Sequence, residues 1–166
     1  MSDWLQIKKG VRQGCVLSPY LFNILSEMVM RKALEGFKGG LQIGDRRITN
    51  LRYADDIILI TTSEDELQEL VKRVHEASRK YDLLINVHKT KTMVIAGKKC
   101  NIFVGMEKLE QVNSFPYLGS VFRVTRGNMN TLSSFCDSLL TLYVIAFTDT
   151  HEPKHVFFSH YHCCGK

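Results

Sequence analysis

Two acidic residues, Asp55 and Asp56, stand side by side between apolar, strand-like runs in the stretch LRYADDIILI. Adjacent residues of a flat strand point to opposite faces, so both carboxylates reach one site only if the chain turns there. Two like charges at one turn need protons or cations to neutralise them, and Mg²⁺ prefers carboxylate oxygens. The pair therefore predicts a divalent-cation site at a hairpin tip, with a plain Asp-containing turn as the alternative.

Two helices are predicted to support this site. The first begins at Ser18 as N-cap with Pro19 at the first helical position, ends at the glycines of 39–40, and is expected to be largely buried. Its residues at helical spacing are Leu21, Leu25, Met28 and Lys32, and Phe22, Ile24 and Val29 widen the apolar face. The second helix opens with Ser63 and Glu66 at capping-box spacing. It carries Leu67, Leu70, Val71 and Val74 on one face.

The remaining segments read as short strands. LQIGDRRITNLRY predicts a hairpin around a Gly-Asp turn, and LRYADDIILI repeats the pattern, so three successive strands are expected in one antiparallel sheet. LLINV, KTMVIAG, NIFVG and FPYLGSVF predict further strands. The order of elements favours an α+β fold with helices on one face of an antiparallel sheet.

Composition narrows the class of protein. The chain has 166 residues, of which 45% are hydrophobic, enough for one domain and a tail. A net charge of +5 is compatible with binding to nucleic acid, but it is equally compatible with a basic surface exposed to solvent. Five cysteines without a framework spacing and no secretory signal predict an intracellular protein, nuclear or cytoplasmic, that is not secreted. The tail segment LLTLYVIAF is too short to cross a membrane.

Four motifs in order resemble the palm of a reverse transcriptase, closest to that of non-LTR, LINE-type retrotransposons. They are GVRQGCVLSP, YADD, NVHKTKTMV and FPYLGS, and together they cover residues 5–122. The resemblance implies an RNA-directed DNA polymerase that uses an RNA template, a DNA primer and dNTPs. It also implies that Asp55 and Asp56 help to hold two Mg²⁺ (or Mn²⁺) ions for an in-line nucleotidyl transfer.

The resemblance extends to substrate-binding residues around the acids. Tyr53 lies near the primer end in the family. The loop that contains Arg12, Gln13 and Gly14 approaches the template and the incoming nucleotide, and its glycines allow close backbone approach. A glycine-rich entry to the first helix is the alternative for this loop.

Two later motifs carry the other implied roles. Lys89 occupies the position of a family lysine that neutralises or protonates the pyrophosphate leaving group, with a solvent-exposed lysine as the alternative. Tyr117, Leu118 and Gly119 resemble the primer grip, which presents backbone to the primer strand. A buried aromatic strand is the alternative here.

The chain also departs from the family. Nine residues precede Gly10, so the strand with the third catalytic carboxylate and the nucleotide-binding fingers are missing, and the two-ion site is incomplete. Loss of that strand predicts an unpaired sheet edge beside the Asp55 hairpin. Residues 1–122 are thus expected to be a truncated palm and residues 123–166 an unrecognised tail, disordered or loosely packed. A hydrophobic segment at 139–147 can still dock on the sheet.

The tail contains a second candidate metal site. Its zinc-type ligands are His151, His155, His160, His162, Cys163 and Cys164. The adjacent cysteines lack the usual separation of zinc ligands, so a disordered tail is the preferred reading.

Three functions remain open from sequence. The first is a fragment of a polymerase palm, active in RNA-templated DNA synthesis only within a longer polypeptide. The second is a catalytically dead nucleic-acid-binding remnant that acts through Arg12, Lys89 and Lys91. The third is a structural relic without biochemical activity. The oligomeric state is not predicted, and whether the chain alone is an enzyme stays open.

Overall fold

The computed structural model describes residues 16–53, 56–95, 99–124 and 142–147. The helices are α1 (Ser18–Leu34) and α2 (Glu64–Arg79). The strands are β1 (Leu41–Ile43), β2 (Arg46–Ile48), β3 (Asn50–Tyr53), β4 (Asp56–Thr61), β5 (Thr90–Ile95), β6 (Phe103–Val104), β7 (Glu107–Lys108), β8 (Glu110–Gln111), β9 (Ser114–Tyr117), β10 (Ser120–Arg123) and β11 (Leu142–Phe147). The α+β class predicted from sequence is confirmed. Neither described helix combines the length and apolarity that a membrane span requires.

The main sheet has the strand order β3-β4-β11-β5-β8. Its neighbours pair antiparallel except β5 and β8, where Lys91 and Thr92 pair in parallel with Glu110 and Gln111. The other strands form three separate two-stranded hairpins, β1–β2, β6–β7 and β9–β10. The sheet is therefore mixed rather than purely antiparallel, because the short β8 runs beside β5 in the same direction.

Both faces of the sheet are covered. Alternate residues of β4 divide between two clusters: Ile57 and Leu59 join α1 and α2, whereas Ile58 joins a cluster with Phe115 and Tyr117 of β9. Because successive side chains of a strand point to opposite faces, the helices lie on one face and the β9–β10 hairpin on the other. The helices do share one face as predicted, and the second apolar layer was not foreseen.

Helix α2 forms as its sequence predicts. The Ser63 hydroxyl accepts a hydrogen bond from the Glu66 N–H at 3.2 Å, and Leu67, Leu70, Val71 and Val74 are all buried. The reciprocal half of the capping box differs, since the Glu66 carboxylate accepts from the N–H and hydroxyl of Thr62 at 3.2 and 3.1 Å. Glu66 thereby ties the end of β4 to the start of α2.

Helix α1 departs from its prediction in three ways. Its N-cap is Leu17, without a side-chain hydrogen bond, so Ser18 is the first helical residue instead of the cap. It ends at Leu34, before the predicted glycine stop. Its buried residues are Ser26, Val29, Met30 and Ala33, whereas the large exposed apolar side chains are Tyr20, Leu21, Ile24 and Met28. The helix has apolar residues of its own on most sides, but the sheet and α2 cover only one of these sides.

An ion pair holds α1 against the edge of the sheet. The Arg52 guanidinium of β3 lies 2.7 Å from the Glu27 carboxylate of α1. Hydrogen bonding and the charge of Arg52 lower the pKa of Glu27, and Arg31 adds to the effect. The strand that leads to the acidic turn is thus attached to the helix at its outer edge.

Two strand predictions are wrong in detail. The strands β1 and β2 form their own hairpin around Gly44 and Asp45 and do not join β3. The carbonyl of Thr49 accepts the N–H of Ile60 at 2.8 Å, so the chain changes pairing partner immediately after β2. The segment LLINV at 83–87 forms no extended strand and contributes only an isolated bridge residue, Ile85.

The tail supplies the central strand of the sheet. A disordered tail and an unpaired edge beside β4 are predicted from sequence, but residues 142–147 form β11, which pairs with β4 on one side and β5 on the other. The segment that was predicted to dock on the sheet therefore pairs within it. The remainder of the tail, with its His and Cys cluster, lies outside the described residues.

His75 on α2 predicts a pH dependence of stability. Its Nδ1 is buried without a hydrogen-bond partner among the described residues. Burial, helped by the charge of Arg79, lowers the pKa of His75 below its ordinary value of 6.5. Since the unfolded chain then binds a proton more readily, the free energy of unfolding should decrease as pH falls below about 6.5 and level off below the folded-state pKa.

Urea unfolding between pH 7.5 and 5 checks this expectation. His75→Gln should weaken the pH dependence, whereas His88→Gln, at an exposed position, should retain it. Identical pH profiles for the original chain and His75→Gln would contradict the assignment.

Candidate functional site

The acidic turn lies at one end of the main sheet. Tyr53 of β3 pairs directly with Asp56 of β4, so two residues connect these strands, as the sequence predicts. Asp56 is half-buried and Tyr53 is exposed. Asp55 lies outside the described residues, and its role as principal metal ligand stays a prediction. Of the two acids, the structure thus describes only Asp56, which is the first residue of β4.

Lys89 lies at the same end of the sheet as Asp56. Phe147 of β11 stands opposite both Ile57 of β4 and Thr90 of β5. Asp56 directly precedes Ile57 in the chain, and Lys89 directly precedes Thr90. Because only β11 lies between β4 and β5, the backbones of Asp56 and Lys89 are about 10 Å apart. The register therefore brings one acidic and one basic residue to the same end of the sheet.

A turn at Asn86 fixes the backbone at Lys89. The Lys89 N–H donates to the Asn86 carbonyl at 3.2 Å and to its Oδ1 at 3.3 Å. The Thr90 hydroxyl donates to the same carbonyl at 2.7 Å. These bonds form the kind of turn that Asn favours, and they orient the entry into β5. The position of Lys89 is therefore set by local sequence as well as by the sheet.

Tyr117 approaches this end from the face opposite the helices. Its ring meets Phe122 edge-on at 5.9 Å, and Phe122 stacks on Phe115 at 5.5 Å. Burial raises the pKa of the Tyr117 hydroxyl, and the negative charge of Asp56 raises it further. Tyr117 is consequently a protonated hydrogen-bond donor close to the acidic turn. In the same strand the side chains of Phe115 and Tyr117 are buried, whereas Ser114 and Pro116 are exposed.

Comparison with known proteins decides the family. The family profile of reverse transcriptase (RNA-dependent DNA polymerase) matches residues 2–122. The chain belongs to the reverse transcriptase family. The match covers the acidic turn, Lys89 and the β9–β10 hairpin, and it ends before β11.

The reverse transcriptase chain also matches Pol polyproteins of R2 retrotransposable elements. It is 30% identical over 132 residues to the type-1 R2 protein of Nasonia vitripennis, covering 72% of this chain and 13% of that protein. It is 28% identical over 129 residues to the type-2 R2DM protein of Drosophila melanogaster, covering 70% and 12%. A type-1 R2 protein of Popillia japonica gives 28% over 129 residues, covering 70% and 18%. The chain thus spans less than a fifth of these relatives.

Several predicted site residues fall where the structure gives no position. Arg12, Gln13 and Gly14 of the predicted nucleotide and template loop lie outside the described residues. Within residues 16–53, 56–95, 99–124 and 142–147, no group of three His, Cys, Asp or Glu side chains is arranged to hold a metal ion. Lys91, predicted to contact nucleic acid, forms an ion pair with Glu110, which compensates its charge.

Sequence reasoning missed the role of β11 in assembling this site. Its segment reads LYVIAF, whose aromatic and β-branched residues are typical of a strand. That signal is local and does not identify the partners. Only the register with β4 and β5 shows that β11 separates Asp56 from Lys89.

The turn at Leu118 and Gly119, which is predicted to be part of a primer grip, is strained. Tyr117 pairs with Ser120, and the two residues between them, Leu118 and Gly119, have positive φ values of 49° and 78°. Such a turn suits the twist of a hairpin and favours Asn-Gly. Leucine is an unusual residue in the left-handed region, and its side chain is 52% exposed. Burial of the Leu118 side chain within the described residues therefore does not offset the conformational strain.

Leu118→Asn should stabilise the chain. Relief of left-handed strain predicts an increase of about 1 kcal/mol in the free energy of unfolding, measured by urea titration. Val121→Asn, at an exposed position of β10 with extended backbone, is the matched control and should not stabilise. A Leu118→Asn chain no more stable than the original would contradict the strain argument.

Proposed function

We propose that this chain is part of the palm of a non-LTR reverse transcriptase and supplies two of the three acids of a two-metal site for RNA-templated DNA synthesis in a longer polypeptide. The observation that carries the proposal is the convergence of Asp56, Lys89 and Tyr117 at one end of the sheet. The family match and the similarity to R2 Pol polyproteins support the same conclusion.

The donor set fits the metal that the family implies. Asp55 and Asp56 offer hard carboxylate oxygens, the ligands suited to Mg²⁺ or Mn²⁺. Bound divalent ions would supply positive charge at both the attacking and the leaving oxygens of the displacement. Asp55 is proposed as the principal ligand. Asp56 stands beside it at the start of β4, where its charge already acts on Tyr117.

The other residues bind and orient the substrates. Lys89 is proposed to neutralise or protonate the leaving pyrophosphate from the far side of β11. Tyr53, whose ring is exposed, is proposed to contact the primer end. The Tyr117–Leu118–Gly119 turn is proposed to present its backbone to the primer strand. The loop of Arg12, Gln13 and Gly14 is proposed to contact the template and the incoming dNTP.

One structural observation favours a second candidate function. β11 fills the place beside β4 where, by the resemblance, the strand with the third carboxylate belongs. While β11 pairs with β4, a strand with the third carboxylate cannot pair there. The chain nevertheless retains its basic and aromatic groups. This arrangement favours a nucleic-acid-binding remnant without polymerase activity.

Primer extension on an RNA template, with Mg²⁺ and separately with Mn²⁺, tests the proposal. The chain alone should not extend the primer, because two of three metal-binding acids do not position both ions. A chain extended upstream through the missing strand should be active, and Asp55→Ala in that longer chain should abolish activity. Asp45→Ala, at the turn of the β1–β2 hairpin, is a matched control that should remain active.

The possible outcomes separate the candidates. Extension by the chain alone would overturn the requirement for a longer polypeptide. Inactivity of the longer chain together with salt-sensitive binding of RNA would favour the remnant. Inactivity without nucleic-acid binding would contradict both candidates.

A further inference from the structure

The apolar core holds both ends of the turn that precedes β5. Ile85 and Val87 flank Asn86 and pack in the cluster that joins both helices to the sheet, and Thr90 at the start of β5 is 1% exposed. Asn86 itself is half-buried. The core therefore fixes where the turn begins and ends, and hydrogen bonds within the turn set the path of residues 87–89.

Hydrogen bonds from two residues of this turn converge on Asn86. The carbonyl of Asn86 accepts the Lys89 N–H at 3.2 Å, the Thr90 N–H at 3.0 Å and the Thr90 hydroxyl at 2.7 Å. A carbonyl oxygen has two lone pairs, so it cannot satisfy three donors equally well. The side-chain Oδ1 of Asn86 also accepts the Lys89 N–H, at 3.3 Å. The side-chain oxygen therefore takes a share of the bond that the crowded carbonyl leaves incomplete.

The bound residue of this turn is the lysine of the candidate site. His88 is exposed, whereas Lys89 is half-buried and its N–H is held by Asn86. A lysine carries its ammonium on a flexible four-carbon stem, so its reach is precise only if its backbone is fixed. Asn86 thus controls the point from which the Lys89 side chain extends.

We propose that Asn86 is a positioning residue for nucleotidyl transfer, which holds the Lys89 N–H through Oδ1 and so directs the Lys89 ammonium to the leaving pyrophosphate. The catalytic part of this role rests on the proposed function. In the transfer, the bond from the primer 3′-oxygen to the α-phosphorus forms while the bond from that phosphorus to the pyrophosphate oxygen breaks. The 3′-hydroxyl proton passes to solvent, and Lys89 neutralises or protonates the leaving oxygen.

The location of the turn supports this role. Phe147 of β11 stands opposite both Thr90 and Ile57, so the turn lies at the end of the sheet where Asp56 begins β4. A displacement of about 1 Å at a reacting group can lower a rate about 100-fold. Loss of a backbone anchor beside Lys89 should therefore reduce the rate of transfer even though Asn86 acts only through its neighbour.

Substitutions of similar size separate hydrogen bonding from packing. Asn86→Asp keeps an acceptor oxygen and is favoured in the same kind of turn. Asn86→Leu keeps the approximate size of the side chain but has no acceptor. Asn86→Ser supplies a weaker acceptor and should be intermediate. Asn101→Leu, at an exposed asparagine whose N–H donates to Glu64 of α2, is the matched control.

Hydrogen exchange in the 166-residue chain tests the hydrogen bond without polymerase activity. The Lys89 amide should exchange about 10-fold faster in Asn86→Leu than in the original chain, the loss expected for one hydrogen bond. Amides of β4 should exchange at their original rate, since the core is unchanged. Asn86→Asp and Asn101→Leu should leave Lys89 exchange unaltered. An unchanged Lys89 amide in Asn86→Leu would overturn the proposal.

Single-turnover primer extension by the upstream-extended chain measures the effect on transfer. Asn86→Leu should lower the rate about 10- to 100-fold at saturating dNTP, with the same fraction of primer extended. Asn86→Asp and Asn101→Leu should retain the original rate. In a Lys89→Met background, which already lacks the ammonium, Asn86→Leu should lower the rate by less than about twofold, because the two residues act as one unit.

The outcomes distinguish this role from a structural one. A smaller fraction of extended primer at an unchanged rate would make Asn86 a folding residue only. Equal losses from Asn86→Leu with and without the Lys89 ammonium would show that it does not act through Lys89. If Asn86→Leu fails to fold, Asn86→Ser decides by the same two measurements. An upstream-extended chain that is inactive with Asn86 and Lys89 intact would instead refute the proposed function, and the catalytic role of Asn86 with it.

Discussion

Replacing Leu70 by alanine is expected to lower the free energy of unfolding by about 3–5 kcal/mol, measured by urea titration. Leu70 lies on α2 with no exposed surface, in the cluster that joins both helices to β4. The loss combines the transfer free energy of the removed atoms with the cavity left between close-packed neighbours. A loss of this size is a large share of the stability of a small domain.

Ile24→Ala on α1 is the matched control for Leu70→Ala. Both positions are aliphatic and helical, but Ile24 is 59% exposed. Its replacement should change the free energy of unfolding by less than about 1 kcal/mol, as is usual for surface positions. Losses of similar size at the two positions would mean that α1 buries the face predicted from sequence rather than the one found in the structure.

The contrast between the two helices explains what sequence can predict. α2 separates polar from apolar residues cleanly, and the Ser63 cap sets where it begins, so its buried face follows from spacing alone. α1 has apolar residues around most of its circumference, including Ile24 and Met30 on different sides. Which stripe is buried depends on the positions of α2 and the sheet, and local spacing does not contain that information.

The strands show the same contrast between features that depend on local sequence and features that depend on distant segments. Hairpins with two-residue turns are local, and the turn at Gly44–Asp45 and the two-residue connection between Tyr53 and Asp56 follow from turn chemistry and alternation. The hairpin at Leu118–Gly119 follows from the family resemblance instead, because leucine is unusual at a positive φ. The insertion of β11 between β4 and β5 joins segments that are distant in sequence. A strand pattern predicts extended backbone but not its partners, so the centre of the sheet could not be derived from the sequence.

The candidate site is therefore only partly a local property. The acidic pair and the FPYLGS segment are each visible as short motifs. The separation between Asp56 and Lys89 depends on the strand that lies between them, and that strand comes from the tail. The approach of Tyr117 depends on the second apolar layer, formed with Phe115 and Phe122. Motif order indicates the family, and tertiary packing sets the distances.

Asp56→Asn in the longer, upstream-extended polymerase is expected to reduce the rate of primer extension about 1,000-fold or more, because a metal-site charge contributes several kcal/mol to transition-state stabilisation. Asparagine keeps the size of the side chain and one oxygen but removes the negative charge. The same substitution removes the charge that raises the pKa of Tyr117, so that pKa should fall toward its ordinary value while burial still keeps it elevated. Single-turnover extension and a spectroscopic titration of Tyr117 measure the two effects.

Asp45→Asn provides the control for the loss of a carboxylate at a hairpin turn. Asp45 is exposed and lies in the two-residue connection between Ile43 and Arg46, away from the main sheet. It should leave both the extension rate and the Tyr117 titration unchanged. If Asp56→Asn lowered the Tyr117 pKa but left extension intact, Asp56 would be a neighbour of the primer grip and not a metal ligand. Loss of extension with an unchanged Tyr117 pKa would instead separate Asp56 from Tyr117, against the geometry at the end of the sheet.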